Sequence, residues 1–182
     1  EKRTIFLDNQ DHARFVHNLY ERNDQKLAHN TARHMSNLVG RSSRNRIVDV
    51  HGWCLMKNHY HLLLSERMKG GLSKFLMKLN VGYAKYFNEK YKRSGTLFQA
   101  RTKKVLIESD AHFLHILHYI HLNPLDFLVG AKSWREREIT NSKKALKHLE
   151  EYRWSSYLDY CGNKNFSSIL TKDLFADIFP NY

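Results

Sequence analysis

The sequence predicts an α+β domain in which helices pack on one face of an antiparallel sheet. Three patterns carry this expectation. Apolar spacing alternates between helical and strand periods in the order helix, strand, strand, helix, strand, helix. Lys57-Asn58 makes a tight turn between two strand-like runs, which gives an antiparallel hairpin. Leu72, Phe75, Leu76, Leu79, Tyr83, Tyr86 and Phe87 form one stripe of a strong amphipathic helix.

Each element follows from local chemistry. Phe15, Val16 and Leu19 give Asp8–Tyr20 helical spacing, with Asp8 or Asp11 as cap. Residues 24–46 are polar and carry Arg33, Arg41, Arg44 and Arg46, read as a helix remnant and a basic loop. Ile47–Met56 is strand-like through Ile47, Val48, Val50, Trp53 and Leu55. The run Asn58-His59-Tyr60-His61-Leu62-Leu63-Leu64 is the return strand, with Leu62 and Leu64 expected as its buried positions. Gly70-Gly71 breaks the chain before the amphipathic helix, which runs to about Tyr91. Thr96–Glu108 reads as a third strand. Ser109 or Asp110 starts a helix that must stop before Pro124, because proline disfavours helix at the preceding residue. Lys132–Glu151 is highly charged, with a helix in its second half. Residues 1–130 are read as the catalytic domain and 131–182 as a charged insert and carboxy-terminal extension.

Bulk properties narrow the function. The 182 residues fit one main domain. A formal charge of +12 suggests a polyanionic partner, with nucleic acid as the first candidate. No apolar run is long enough for a membrane helix. No signal-peptide pattern stands at the start, which is Glu1 rather than Met. Cys54 and Cys161 lie outside any C-x-x-C or zinc spacing, which suggests a reducing, cytoplasmic compartment.

Strand periodicity puts His59 and His61 on one face, where two imidazoles supply half of a divalent-metal site. The plainer alternative is a half-buried strand that happens to carry two histidines. On the late helix, Phe113, Ile116, Leu117 and Ile120 form the core stripe. His112, His115, Tyr119 and Asn123 form a second stripe roughly 100° away. Tyr119 therefore sits at the border of buried and open surface, as a candidate nucleophile, and Asn123 presents an amide oxygen one turn on. Two imidazoles and one oxygen would leave positions on a metal open for phosphate.

These residues carry a resemblance. Asn58–Leu64 together with Tyr119-Ile120-His121-Leu122-Asn123-Pro124 resembles the insertion-sequence-type single-tyrosine transposases. These are HUH enzymes, and the branch most resembled is the REP-associated tyrosine transposases. Gly95–Arg101 resembles the family's strand before the catalytic helix. Glu151-Tyr152-Arg153-Trp154-Ser155-Ser156-Tyr157 resembles its carboxy-terminal segment.

The resemblance implies a ferredoxin-like domain that cuts and rejoins single-stranded DNA through a 5′-phosphotyrosine. His59 and His61 match the ligands of Mg²⁺ or Mn²⁺, Tyr119 the nucleophile, and Asn123 a polar third ligand. It also implies hairpin DNA as substrate and a homodimer. Three departures stand out: Tyr60 replaces the usual aliphatic residue between the histidines, the family's first strand would precede Glu1, and the stretch between Val129 and Tyr152 is longer and more charged, read as a solvated helix in preference to a DNA-binding or dimerisation insert.

Arg41, Arg44, Arg46, Lys57, Arg93, Arg101, Lys103 and Lys104 are the cations nearest the site in chain order and the candidates for phosphate contact. Trp134 and Trp154 are candidates for base stacking, with core packing favoured for Trp154. The residues leave other readings open. These are a domesticated nickase with the same site, a non-catalytic nucleic-acid-binding module, and a structural metalloprotein.

Overall fold

The computed structural model describes residues 3–26, 44–99 and 102–176, and its class is α+β. Strand β1 (Val48–Met56) turns through Lys57-Asn58 into β2 (His59–Glu66), and the two form an antiparallel hairpin. Val48, Val50, Trp53 and Leu55, apolar members expected of β1, are buried, and so is Met56. The register of β2 differs from the expectation. Leu63 is the buried position at 8% exposure, while Leu62 and Leu64 are half-buried. Because alternate residues share a face, His59 and His61 lie on the same side as Leu63, the side that faces the core.

The chain clusters into two compact units. The first holds the described residues of Glu1–Leu7, Val50–Leu63 and Thr102–Tyr182. Within it, helix α3 (Asp110–Leu122) starts at Ser109, whose side chain accepts a hydrogen bond from the His112 amide. A 3-10 turn over Asn123–Phe127 follows, so the α-helix ends ahead of Pro124. Leu117 and Ile120 of α3 pack with Cys54, Met56, Leu63 and Phe175.

Gly52 lets α3 approach β1 closely: a Cβ there would lie 2.8 Å from Leu117 Cδ1. A second tie is polar. His121 Nε2 lies 2.7 Å from Ser156 Oγ, which also accepts from the Trp53 amide at 2.9 Å. The Trp154-Ser155-Ser156 stretch runs beside β1, with Leu55 N to Trp154 O and Ser156 N to Trp53 O both at 2.9 Å. Cys54 and Ser155 form an isolated antiparallel bridge.

The second core of this unit gathers Leu125, Ala131, Trp134, Ala145 and Leu149. The last two project from α4 (Ser142–Glu151), the helix expected in the second half of the charged segment.

The second unit holds the described residues of Asp8–Asp49 and Leu64–Arg101. Helix α1 (Asn9–Glu21) is capped by Asp8, whose side chain accepts from the Asp11 amide at 2.9 Å. Helix α2 (Gly71–Lys90) buries Phe75, Leu76, Leu79, Tyr83 and Phe87, and Tyr83 meets Phe15 edge-on at 5.1 Å. Asp11 is fully buried and accepts from the hydroxyls of Tyr86 (3.0 Å) and Tyr91 (2.8 Å) and from Lys90 (2.7 Å). Burial opposes the charge on Lys90. Its bonds to Asp11 and Asp8 outweigh that cost and hold its pKa above the ordinary lysine value.

One expected element is absent. The described residues of Thr96–Glu108 form no strand, and Val105 and Leu106 are 75% and 76% exposed. β-branched composition stabilises a strand only where a ladder and a packed face exist. On β1 the place beside Trp53–Leu55 is taken by Trp154–Ser156.

The close fit at Gly52 yields a test. Gly52→Ala forces Leu117 out of its rotamer and is expected to cost about 1–3 kcal/mol. Adding Leu117→Val, which removes the clashing methyl group, should recover part of that loss in urea denaturation. Strictly additive losses would show that the two positions do not meet.

Candidate active site

The period of two on β2 brings the His59 and His61 rings edge-to-face, with centroids 4.9 Å apart and Nε2 atoms 3.1 Å apart. His59 Nδ1 lies 2.7 Å from the Asn58 amide oxygen. With Nδ1–H donating there, the Nε2 lone pair of His59 turns toward its neighbour. Burial, followed by the nearby charges of His59 and Arg135, pushes the His61 pKa down to about 4, with Asp126 opposing. His61 is therefore a neutral imidazole at neutral pH, the form that binds a metal.

Tyr119 comes from α3. Its ring meets His61 edge-on at 5.9 Å and is 39% exposed, the border position its stripe predicts. The Trp134 ring lies 5.6 Å from it. Asn123 is almost fully buried. Its amide NH₂ donates to the Tyr119 carbonyl at 2.7 Å, and its amide oxygen accepts from Arg135 at 3.2 Å. In this arrangement Asn123 braces the end of α3.

Arg135 and Asp126 are the site residues that sequence reasoning missed. Arg135 makes two bonds to Asp126, at 2.6 and 2.9 Å, and its guanidinium lies 5.9 Å from the Tyr119 ring centroid. The Trp134 indole N–H also donates to Asp126, at 2.8 Å. The Arg135 bond lowers the Asp126 pKa, and the Trp134 bond adds to it. Asp126, followed by the Tyr119 hydroxyl, raises the pKa of Arg135. No short-range pattern marked Arg135, since it reaches the site through the turn over Lys132–Glu136. Trp134 itself is only 7% exposed, which removes it as a base-stacking platform. Trp154, at 9%, is a packing residue as expected.

The fit of a cation can be judged from the ligand spacing. Adjacent ligands of an octahedral ion with bonds of about 2.1 Å lie roughly 3.0 Å apart, close to the Nε2 separation seen here. Two neutral imidazoles beside open surface suit a divalent ion. Among the described residues no group of three or more His, Cys, Asp or Glu side chains forms a complete cage. Further ligands would come from an amide, solvent or substrate.

The other expected cations are scattered. Lys57 lies over Phe127 at 5.4 Å, and Lys103 and Lys104 are exposed in the same unit as Tyr119. In the second unit, Arg44 stacks on Tyr20 at 3.5 Å, Arg46 pairs with Asp49 at 3.3 Å and Arg93 bonds Asn88 at 3.0 Å. Arg41 and Arg101 lie outside the described residues.

Comparison with known proteins gives the family. Residues 10–123, more than half of the chain, match the family described as "Transposase IS200 like". The chain belongs to this family. This IS200-like transposase is therefore a DNA-binding protein of DNA transposition. No curated protein and no solved structure matches it. No helix among the described residues is long and apolar enough to cross a membrane. The match ends at Asn123, so Asp126, Trp134 and Arg135 lie beyond it.

Arg135→Gln keeps a polar side chain but removes the charge beside Tyr119. It is expected to cost only about 1 kcal/mol in urea denaturation, because the pair is partly exposed. The same variant should slow DNA cleavage about tenfold or more at saturating DNA. Equal rates for variant and wild type would show that the guanidinium does not act on Tyr119.

Proposed function

We propose that this transposase cuts and rejoins single-stranded DNA through a 5′-phosphotyrosine on Tyr119, with Mg²⁺ or Mn²⁺ held by His59 and His61. The observation that carries the reading is the meeting of three side chains. The Tyr119 ring stands edge-on to His61, whose Nε2 faces that of His59 at 3.1 Å. A buried aromatic cluster would not leave Tyr119 39% exposed beside two facing imidazole nitrogens.

The chemistry follows from these groups. Tyr119 Oη attacks the scissile phosphorus, a new O–P bond forms, and the bond to the 3′ oxygen breaks. The phenol loses its proton, the 3′ oxygen gains one, and a free 3′-hydroxyl is released. Rejoining reverses these steps with a second 3′ end. The bound cation supplies electrostatic stabilisation of the phosphate oxygens. Arg135 places a fixed positive charge beside the phenol, where negative charge passes during attack. Asn123 holds the last turn of α3 through the Tyr119 carbonyl.

Within this reading the substrate is single-stranded DNA with hairpin structure, the REP-associated branch is the lineage, and a homodimer is the working unit. Asn123 is the proposed third ligand, and reaching a cation would require its amide oxygen to leave Arg135. Lys57, Lys103 and Lys104 are the proposed phosphate contacts in the unit that carries Tyr119.

The test uses a labelled pool of imperfect DNA hairpins with single-stranded flanks, incubated with Mg²⁺ or Mn²⁺. A protein–DNA band that survives denaturation is expected for wild type and should vanish in Tyr119→Phe. His59→Ala, His61→Ala or chelation should lower its yield about 100-fold or more. Cleavage without joining would identify a nickase. Hairpin binding with no adduct in wild type would make the chain a binding module. Unfolding on chelation would point to a structural metal instead.

A further inference from the structure

A second cluster of chemistry lies in the other unit, on the facing sides of α1 and α2. Arg14, Asn18 and Arg22 recur every four residues and share one side of α1. Arg14 meets α2, where its guanidinium lies 5.3 Å from the Tyr86 ring centroid. One turn earlier on α2, a Cβ on Gly82 would come within 2.9 Å of Arg22 Nε. Glycine at that position leaves room for the guanidinium between the helices.

The donors of this cluster are unmet. Arg14 Nε, Arg22 Nε and Asn18 Nδ2 are buried and have no hydrogen-bond partner among the described residues. Asn18 as a whole is only 1% exposed. Burial and the neighbouring charge of Arg14 both lower the Arg22 pKa, against the nearby Glu21. Lys78, a turn before Gly82, senses Arg22 in the same way. Two like charges and three orphaned donors on one side of α1 are unfavourable for the protein alone. An oxyanion at this side would offer acceptors to these donors and screen the repulsion. Guanidinium forks match phosphate oxygens in geometry as well as charge.

We propose that Arg14, Asn18 and Arg22, on one side of α1 where Gly82 of α2 admits the Arg22 guanidinium, bind a backbone phosphate of the DNA. The inference rests on the DNA binding that the family implies and not on the chemistry of Tyr119. The cluster is a site of affinity and register, because phosphate contacts position a nucleic acid without reading its bases.

The test is fluorescence anisotropy of a labelled single-stranded hairpin in EDTA, with salt varied. Arg14→Gln/Arg22→Gln is compared with Lys143→Gln/Lys147→Gln, which removes the same charge from exposed positions of α4. The α1 double variant should bind about tenfold or more weakly, with the slope of log affinity on log salt reduced by about 1 to 2. The α4 variant should change affinity much less. Gly82→Ala, which crowds Arg22 without removing charge, should also weaken binding. Melting of the α1 double variant in phosphate-free buffer should occur at the wild-type temperature or above, since it removes an unmet repulsion.

Equal losses from the α1 and α4 pairs would overturn the proposal. So would inorganic phosphate that raises the melting temperature of wild type only, with the DNA slope unchanged, because the site would then serve free phosphate. Failure of the tyrosine chemistry shows separately, as a missing covalent band with hairpin binding intact.

Discussion

The docking of α3 on β1 is the constraint on which the site depends. A helix can rotate or slide along a sheet unless specific contacts fix it. Here there are two such contacts about one turn apart. Leu117 seats on Gly52, and His121 reaches Ser156, which is itself tied to both the N–H and the C=O of Trp53. The burial that fixes this tie pushes the His121 pKa down to about 3, so the ring is neutral and acts as a hydrogen-bonding group rather than a charge. Tyr119, two residues before His121, then has little freedom in where it points, and it points at His61. The Trp-Ser-Ser segment near the end of the chain thus serves the site from a distance: it occupies the flank of β1 and supplies the hydroxyl that locks the helix.

The charged stretch after the family match has a related role. Its α4 buries Ala145 and Leu149 in a small core with Leu125, Ala131 and Trp134. That core holds the turn from which Arg135 reaches back to Asp126 and Asn123. A fixed guanidinium beside a phenol can favour charge during attack without reorganising at that moment. The insert read from sequence as a solvated helix, or as a DNA-binding or dimerisation piece, thus completes one wall of the candidate site.

Much of this was legible in the sequence because the signals were local. The Ser109 cap, the stop before Pro124 and the Lys57-Asn58 turn each rest on neighbouring residues, and the structure follows them. The border position of Tyr119 came from the 100° step between it and the Leu117 stripe. What failed depended on partners distant in sequence. Three consecutive leucines in β2 do not say which parity is buried. Leu63 is chosen because α3 packs on that face, and this places the histidines toward the helix. Thr96–Glu108 had strand composition, but its described residues join no ladder. Trp134, read as a base-stacking candidate, is drawn into a second small core, and Arg135 beside it stays exposed while bonding Asp126.

On the proposed reading, two imidazoles from one hairpin strand hold a cation beside the phenol of α3. Pulsed electron paramagnetic resonance of Mn²⁺ added to the protein probes that ligation. Nitrogen couplings from two imidazoles are expected, with one lost in His59→Gln, the other in His61→Gln, and both retained in Tyr119→Phe. Mn²⁺ bound with water protons alone, or nitrogen couplings unchanged in both histidine variants, would contradict it.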